Sequence, residues 1–230
     1  IQELGPTFIK LGQVLSTRGD VFPATYIQAL ESLQDDVKPL PFSDIDGQLS
    51  RELGVDWRDR FSSFNETPLA TASIAQVHRA TMHDGLEVVL KVQRPGIGPR
   101  IRADLGVLRL LASRAMAEFP EIELFDPRGI LQEFEKSILA ELDFTAETRN
   151  LQRFQNNFSD SKDVVFPSPV EPLSTGRVLC MEYLDGVRIR RAREAGFDME
   201  RLGRRYLDVA YSMLFDHGFF HGDLHPGNVL

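Results

Sequence analysis

Several kinds of residue and segment are scarce in this chain of 230 residues. Cys180 is the only cysteine, so no disulfide can form within the chain, which fits a reducing compartment. No apolar run approaches the roughly 20 residues needed to span a bilayer, and no secretory signal is visible. Basic residues are outnumbered, since 26 Lys and Arg against 34 Asp and Glu give a net charge of −8. A chain this acidic is a poor general nucleic-acid binder, and we expect no nucleic-acid partner.

The overall composition of the chain is that of a folded domain. Hydrophobic residues make up 42% and charged residues 26%, which is typical of one large domain or two small lobes with a real core. The chain begins at Ile1 inside an amphipathic helical pattern and ends at Leu230 inside a strand pattern. We therefore expect a soluble fragment of a longer protein.

Hydrophobic periodicity predicts helices and a small sheet. Helices are expected over 1–18, 24–36, from an N-cap at Ser43 to Gly54, 99–119, 127–158 with a break or bend, and 202–217. Two or three antiparallel strands are expected within 64–92, with a turn at Asp84-Gly85, and a further strand over 177–184. This order predicts a two-lobed α+β fold with a cleft between the lobes.

The segment from His221 to Asn228, His-Gly-Asp-Leu-His-Pro-Gly-Asn, carries the strongest local signal. Asp223 is followed five positions later by Asn228, which is the spacing of a kinase catalytic loop. The carboxylate would orient an attacking hydroxyl, and the amide oxygen would meet a Mg²⁺ ion that bridges phosphates. A simple Pro/Gly turn with a solvated Asp is the weaker alternative.

Three histidines at a spacing of four, His217, His221 and His225, lie in and just before this segment. On one helix face they would be candidate zinc ligands. Because Gly222, Pro226 and Gly227 are incompatible with a regular helix, we do not expect a zinc site.

Lys91 lies late in a short β-branched run and resembles a kinase strand lysine that contacts the α- and β-phosphates. Strand alternation puts Val89 on the same face, where it would line a base pocket. Upstream, residues 69–78 occupy the place of a glycine-rich phosphate loop but contain no glycine; we call this segment the alanine loop. Its small residues, among them Ala70, Ala72 and Ser73, allow backbone N–H groups to approach a phosphate, although a tightly packed strand pair explains them equally well.

A kinase also needs a helix carboxylate to pair with its strand lysine. Glu141 and Glu147 are both candidates. Asp143 and Glu147 are four residues apart and would share one helix face, with Glu141 turned away. An acidic, solvated helix face is the alternative.

The strand ending in Met181-Glu182-Tyr183-Leu184 is either a plain edge strand or a hinge. In a hinge, backbone groups of Glu182 and Leu184 would bond an adenine edge. A cluster of seven arginines between 188 and 205 would meet anionic lipid or a phosphorylated substrate, but interleaved acids favour a solvated, ion-paired face.

Taken together, these residues resemble the UbiB/AarF (ADCK) family of atypical, protein-kinase-like proteins. The discriminating piece is Gly-Pro-Thr-Phe-Ile-Lys-Leu-Gly-Gln at 5–13, followed by Ser16, Thr17, Arg18 and Asp20. The alanine loop, Val-Leu-Lys-Val-Gln-Arg-Pro-Gly at 89–96, Glu-x-Asp at 141–143 and the loop at 221–228 follow in the family's order. The resemblance covers essentially the whole chain.

The resemblance implies a protein-kinase-like fold in three parts. Residues 1–60 would form an added N-terminal helical extension, 61–184 the N-terminal lobe with a helical insertion and hinge, and 185–230 the start of a truncated C-terminal lobe. No Asp-Phe-Gly follows before Leu230, so we expect an incomplete Mg²⁺ site and weak or no turnover by this stretch alone.

The resemblance also implies roles for individual residues. Lys91 would pair with Glu147 and contact ATP, and Asp223 and Asn228 would take the catalytic and Mg²⁺ roles. Lys10 and Gln13 would fold over the cleft with Glu141 and Asp143 and obstruct protein substrates. The alanine loop would alter nucleotide handling.

The function implied by the resemblance is an ATP- and Mg²⁺-dependent atypical kinase or ATPase that supports isoprenoid quinone biosynthesis. Expected partners are ATP and ADP, quinone-biosynthesis enzymes, and anionic lipid or quinone precursors. The parent protein would lie on the cytoplasmic side of a membrane, such as the bacterial inner membrane. Two alternatives are a small-molecule phosphotransferase of the aminoglycoside or choline kinase type, and a catalytically weak ATP-binding scaffold.

Overall fold

The computed structural model describes residues 5–16, 19, 23–31, 38–161, 163–222 and 229–230. These residues belong to two compact units. The first unit is Ile1–Asn150 with Pro169–Glu182, and the second is Leu151–Ser168 with Tyr183–Leu230.

The described part of the chain forms helices and one antiparallel sheet. The helices are α1 (Pro6–Ser16), α2 (Ala24–Glu31), α3 (Phe42–Leu53), α4 (Ile97–Glu118), α5 (Pro127–Ala140), α6 (Phe144–Asn157) and α7 (Met199–Tyr211). The strands are β1 (Phe61–Phe64), β2 (Ala70–Thr71), β3 (Ala75–Met82), β4 (Glu87–Gln93) and β5 (Val178–Glu182). This is the mixed helix and sheet composition that the sequence predicts.

The sheet has the order β1-β3-β4-β5, with β2 also paired to β3, and all pairs are antiparallel. The four strands β1 to β4 therefore lie between Phe61 and Gln93, where the sequence predicts two or three. The predicted turn is confirmed: Asp84 Oδ1 accepts a hydrogen bond from the Leu86 N–H, and Gly85 has φ +88°. Glycine adopts this φ without steric cost, which is why the chain reverses there.

The two faces of β4 differ. Val88, Leu90 and Val92 point into a core that includes Ile45 and Leu49 of α3. Each fully buried aliphatic side chain of this kind contributes about 1.5–3 kcal/mol. By alternation, Val89 and Lys91 lie on the other face, as predicted.

A second core joins α4 and α5. Its buried members are Ile74, Ile97, Ile101, Leu105, Leu108, Phe134 and Ile138. Ile74 comes from the alanine loop, and Phe8, Leu11 and Val14 of α1 pack against the same cluster. The N-terminal helix and the tip of the alanine loop are therefore fixed by shared apolar contacts.

The predicted break in the long helical pattern is confirmed, since α5 ends at Ala140 and α6 begins at Phe144. Asp126 caps α5 by accepting a hydrogen bond from the Gly129 N–H. Pro127 follows at the first helical position, where its missing N–H costs nothing.

Some predicted boundaries are wrong. Ser43 does not cap α3, because the helix begins one residue earlier and Pro41 holds the N-cap position without a side-chain bond. Helix α7 begins at Met199, because Asp198 caps it by accepting from the N–H groups of Glu200 and Arg201. It ends at Tyr211 and continues as one π-helical turn over Ser212–Asp216.

In the second unit, Phe154, Phe158 and Met213 form a small buried cluster. The His217 ring packs against Phe158 at 5.0 Å between centroids. Neither His217 nor His221 lies in a helix, so the spacing of four does not place these two on one helix face. The third histidine, His225, lies outside the described residues.

Three arginines of the cluster between 188 and 205 are ion-paired in the second unit. Arg204 lies 2.5 Å from Glu200, Arg191 lies 3.6 Å from Glu194, and Arg205 pairs with Asp163. For these three, the structure favours the interpretation as a solvated, paired face.

Candidate functional site

The candidate site in the first unit is built around Lys91. Its Nζ lies 2.7 Å from Glu147 Oε2, and the two side chains are 30% and 39% exposed. The same Nζ lies 4.8 Å from the centroid of the buried Phe144 ring. A strand lysine is thus held between a carboxylate and an aromatic face, with part of its side chain still exposed to solvent.

The beginning of α6 places Glu147, and two bonds fix that beginning. The Phe144 N–H donates to Gly176 O at 3.1 Å, just before β5. The buried Gln93, two residues after Lys91, donates from Nε2 to Leu142 O at 3.0 Å. The ends of β4 and β5 therefore set the register of the helix that carries Glu147.

Asp143 and Glu147 do not share the face of one continuous helix. The break puts Asp143 ahead of α6, where its Oδ1 accepts from the Thr145 N–H at 3.0 Å and from Thr145 Oγ1 at 2.6 Å. The hydrogen bond from the Thr145 side chain is the main cause that lowers the pKa of Asp143. The prediction that Asp143 and Glu147 share one helix face is wrong, because a capping bond stabilises the Asp143 carboxylate ahead of the helix.

Glu141 forms an ion pair with Lys10 and not with Lys91. It is the C-cap residue of α5, and its carboxylate lies 2.8 Å from the Lys10 Nζ of α1. Of the two carboxylates that the sequence leaves open as partners of Lys91, the structure places Glu147 at the lysine. Glu141 instead ties α1 to the α5–α6 break.

Helix α1 has a second polar anchor. The buried Thr7 donates from Oγ1 to Asp104 Oδ2 of α4 at 2.5 Å. Gln13 lies almost one turn after Lys10 on the same helix, and its carbonyl accepts from the Ser16 hydroxyl at 2.6 Å. The structure thus brings Lys10 to Glu141 and leaves Asp143 bonded to Thr145.

The alanine loop forms the tight hairpin between β2 and β3. Ala70 lies opposite Val77, and the Ala72 N–H donates to Ala75 O at 2.8 Å. Ser73 is 2% exposed. The N–H groups of Ser73 and Ile74 have no hydrogen-bond acceptor among the described residues.

Arg94 also lies in this region. It belongs to the motif at 89–96, but the sequence predicts no role for it. Its Nε donates to Ala72 O at 3.0 Å and its Nη2 to Lys38 O at 2.9 Å. Burial lowers the pKa of Arg94. No periodic pattern could have predicted these contacts, because the acceptors are backbone carbonyls 22 and 56 residues away.

The remaining predicted residues lie as follows. Val89 is buried on the Lys91 face of β4. Glu182 is the last residue of β5 and pairs with Val88, whereas Leu184 follows the strand in the second unit. Asp223 and Asn228 lie outside the described residues.

Two kinds of feature are absent from the described residues. They contain no group of three or more His, Cys, Asp or Glu placed to hold a metal ion. They also contain no helix that is both long and apolar enough to cross a bilayer.

A strand lysine ion-paired to a helix glutamate, on an antiparallel sheet, is the arrangement of a protein-kinase-like N-terminal lobe. The comparisons agree with this class. The ABC1 atypical kinase-like domain matches residues 32–230, and the chain belongs to that family.

Curated relatives match the whole chain. They include the chloroplastic protein ACTIVITY OF BC1 COMPLEX KINASE 8 of Arabidopsis thaliana (41% identical) and a probable protein kinase UbiB of Vibrio vulnificus (40% identical). The chain spans 31% and 43% of their respective lengths. A solved structure of Rv3197 from Mycobacterium tuberculosis in complex with erythromycin is 33% identical, with a TM-score of 0.72 over 98% of this chain and 57% of that one.

Proposed function

We propose that this chain forms the nucleotide-binding part of a UbiB-type atypical kinase or ATPase, and that ATP or ADP binds beside Lys91. The observation that carries the proposal is the 2.7 Å ion pair between Lys91 and Glu147. In kinases this pair holds the lysine against the α- and β-phosphates. The partial exposure of the lysine leaves donors for a phosphate oxygen.

The alanine loop supports the same proposal. The Ser73 and Ile74 N–H groups are donors without a described acceptor, next to small side chains. Successive backbone N–H groups in a turn form a concavity that favours an anion.

The chemical step is assigned to residues outside the described part of the chain. Asp223 would orient the attacking hydroxyl or water, and Asn228 would be a ligand of Mg²⁺. Mg²⁺, when bound, would neutralise charge on the phosphates. The described residues contain no group of three or more His, Cys, Asp or Glu that could hold the ion.

The biological setting is part of the proposal. Relatives at about 40% identity are named as probable protein kinases UbiB, and the family resemblance links such proteins to quinone biosynthesis at membranes. We therefore propose anionic lipid, quinone precursors or quinone-biosynthesis enzymes as partners of the whole protein.

The first experiment measures ADP and ATP binding calorimetrically, with and without Mg²⁺. Lys91→Met should weaken ADP binding at least about tenfold, because it removes a charge-assisted bond to phosphate. Glu147→Gln should weaken it less, because the lysine stays but loses its orienting partner. Lys136→Met and Glu133→Gln, on the exposed face of α5, are the matched controls and should bind like the wild type.

Two results would overturn the proposal. One is an absence of ADP and ATP binding by the folded wild-type chain. The other is an equal affinity of Lys91→Met and Lys136→Met for ADP.

Three readouts on the full-length protein separate the kinase or ATPase from its alternatives. Stimulation of ATP hydrolysis by anionic, quinone-containing vesicles supports the UbiB-type function. Phosphate transfer to small hydroxylated acceptors would instead support a small-molecule phosphotransferase. Nucleotide binding without either reaction would support a scaffold.

A second candidate function, the binding of a macrolide, rests on one specific observation. The solved structure of the relative Rv3197 is a complex with erythromycin, and it aligns with nearly all of this chain. Calorimetric titration with erythromycin tests it, and saturable binding in competition with ADP would place both ligands at one site. An absence of heat at saturating macrolide would exclude this candidate for the present chain.

A further inference from the structure

Arg94, immediately after β4, is bonded to backbone carbonyls and to no carboxylate among the described residues. Its side chain reaches Ala72 O and Lys38 O, and its own N–H donates to Ile74 O at 2.8 Å. The planar guanidinium has donors in a fixed fork, so it can hold two carbonyls from different segments at once. Here it fastens the tip of the alanine loop to the segment before α3.

The bond to Ala72 O has a geometric consequence. In a planar trans peptide the C=O and the following N–H point in opposite directions. Arg94 draws Ala72 O toward itself, so the N–H of Ser73 points away from Arg94. That N–H is one of the loop donors without a described acceptor.

We propose that Arg94 is a positioning residue for the alanine loop. It does not contact the phosphate; it fixes the Ala72–Ser73 peptide so that the Ser73 N–H is oriented for an anion. The link to a nucleotide phosphate rests on the function proposed above, whereas the anchoring of the loop does not.

The first arm of the test needs no ligand. Hydrogen exchange of the Ala72 amide, which is bonded to Ala75 O, reports the closure of the loop. Arg94→Ala and Arg94→Lys should both raise its exchange rate about tenfold, because local opening is no longer opposed by the fork. Arg109→Ala, which removes an arginine paired to Glu135, is the control and should leave the rate unchanged.

The second arm compares ADP with adenosine. Both Arg94 variants should weaken ADP binding about tenfold and leave adenosine binding within about twofold of the wild type. A merely structural role would weaken both ligands alike. Arg94→Lys keeps the positive charge. A loss of ADP affinity in this variant therefore reports the orientation of the loop and not the attraction of an anion by the charge.

The proposal is overturned if the Ala72 amide exchanges at the wild-type rate in both variants. It is also overturned if Arg94→Lys binds ADP as tightly as the wild type, or if adenosine and ADP lose affinity equally. Should the wild type bind no ADP, the proposed function fails, and the exchange arm alone decides whether Arg94 anchors the loop. Urea unfolding confirms that each variant is folded, and Arg94→Lys serves if Arg94→Ala does not fold.

Discussion

His78 and Gln76 of β3 are fully buried polar residues that connect the segment before α3 to the end of β1. Gln76 Oε1 accepts from the Leu40 N–H at 2.8 Å, so its Nε2 faces the His78 Nε2 as a donor at 3.2 Å. The His78 Nδ1–H then donates to Asn65 O at 2.9 Å. This pattern requires a neutral imidazole, and burial lowers the pKa of His78.

The lowered pKa of His78 predicts a loss of stability in mild acid. The unfolded chain takes up a proton below about pH 6.5, before the folded chain does, so the free energy of unfolding falls as the pH drops. The urea midpoint should therefore fall between about pH 7.5 and about pH 5.5.

His78→Gln should flatten this dependence while costing about 1–3 kcal/mol at neutral pH, because buried partners lose a bond. His83→Gln, at an exposed histidine, should keep the wild-type dependence. A His78→Gln protein with the full acid dependence would refute the assignment.

Cys180 is buried within β5, and burial raises the pKa of its thiol to about 12. The thiolate is the reactive form, so Cys180 should be nearly inert at neutral pH. A disulfide reagent should label the native chain at least about a hundred times more slowly than the chain in urea. Labelling of the native chain at the rate of free cysteine would contradict the burial of this strand.

At the scale of elements, the break between α5 and α6 decides the candidate site. Periodicity predicts a break within 127–158 but not its position, and a shift of two residues changes which carboxylates share a face. Glu141 and Glu147 were therefore indistinguishable as partners of Lys91 from spacing alone. The local capping bonds of Asp143 to Thr145 and the contact of Gln93 with Leu142 O fix the break, and the second of these forms only when β4 is folded beside it.

Asp143 provides a test of this element. Asp143→Ala should destabilise the chain by about 1 kcal/mol, because the first turn of α6 loses a capping acceptor. Asp143→Asn should stay close to the wild type, since an amide oxygen accepts the same bond. Urea unfolding of both variants measures the difference. Equal destabilisation by Ala and Asn would show that the cap does not hold the helix.

At the scale of the molecule, the sequence predicted the kinase-like class and the order of elements. It left Glu147 as one of two candidate partners of Lys91 and did not predict the contact of Lys91 with Phe144. The class and the order of elements rest on local spacing within strands, turns and motifs. The role of Arg94 was missed, because its acceptors are main-chain carbonyls that become neighbours only when β4, the alanine loop and the segment before α3 are assembled. The predicted domain boundaries at residues 60 and 184 stay predictions.

The Lys91–Glu147 pair should contribute little to the free energy of unfolding and much more to ligand binding. A partly exposed ion pair contributes about 0–1 kcal/mol to folding, so Glu147→Gln should unfold close to the wild-type midpoint. The proposed function assigns the pair to ligand binding rather than to stability. A loss of several kcal/mol in Glu147→Gln would instead make the pair a structural element.

In the proposed function, Lys91 and the alanine loop together bind a nucleotide phosphate. An amide-resolved NMR titration of the wild-type chain with ADP and Mg²⁺, alongside one with adenosine, tests it most directly. ADP should shift the amide resonances of residues 71–75 and of Lys91. Adenosine, which has no phosphate, should leave the amide resonances of Ser73 and Ile74 in place. Equal shifts with both ligands, or shifts confined to other parts of the chain, would contradict it.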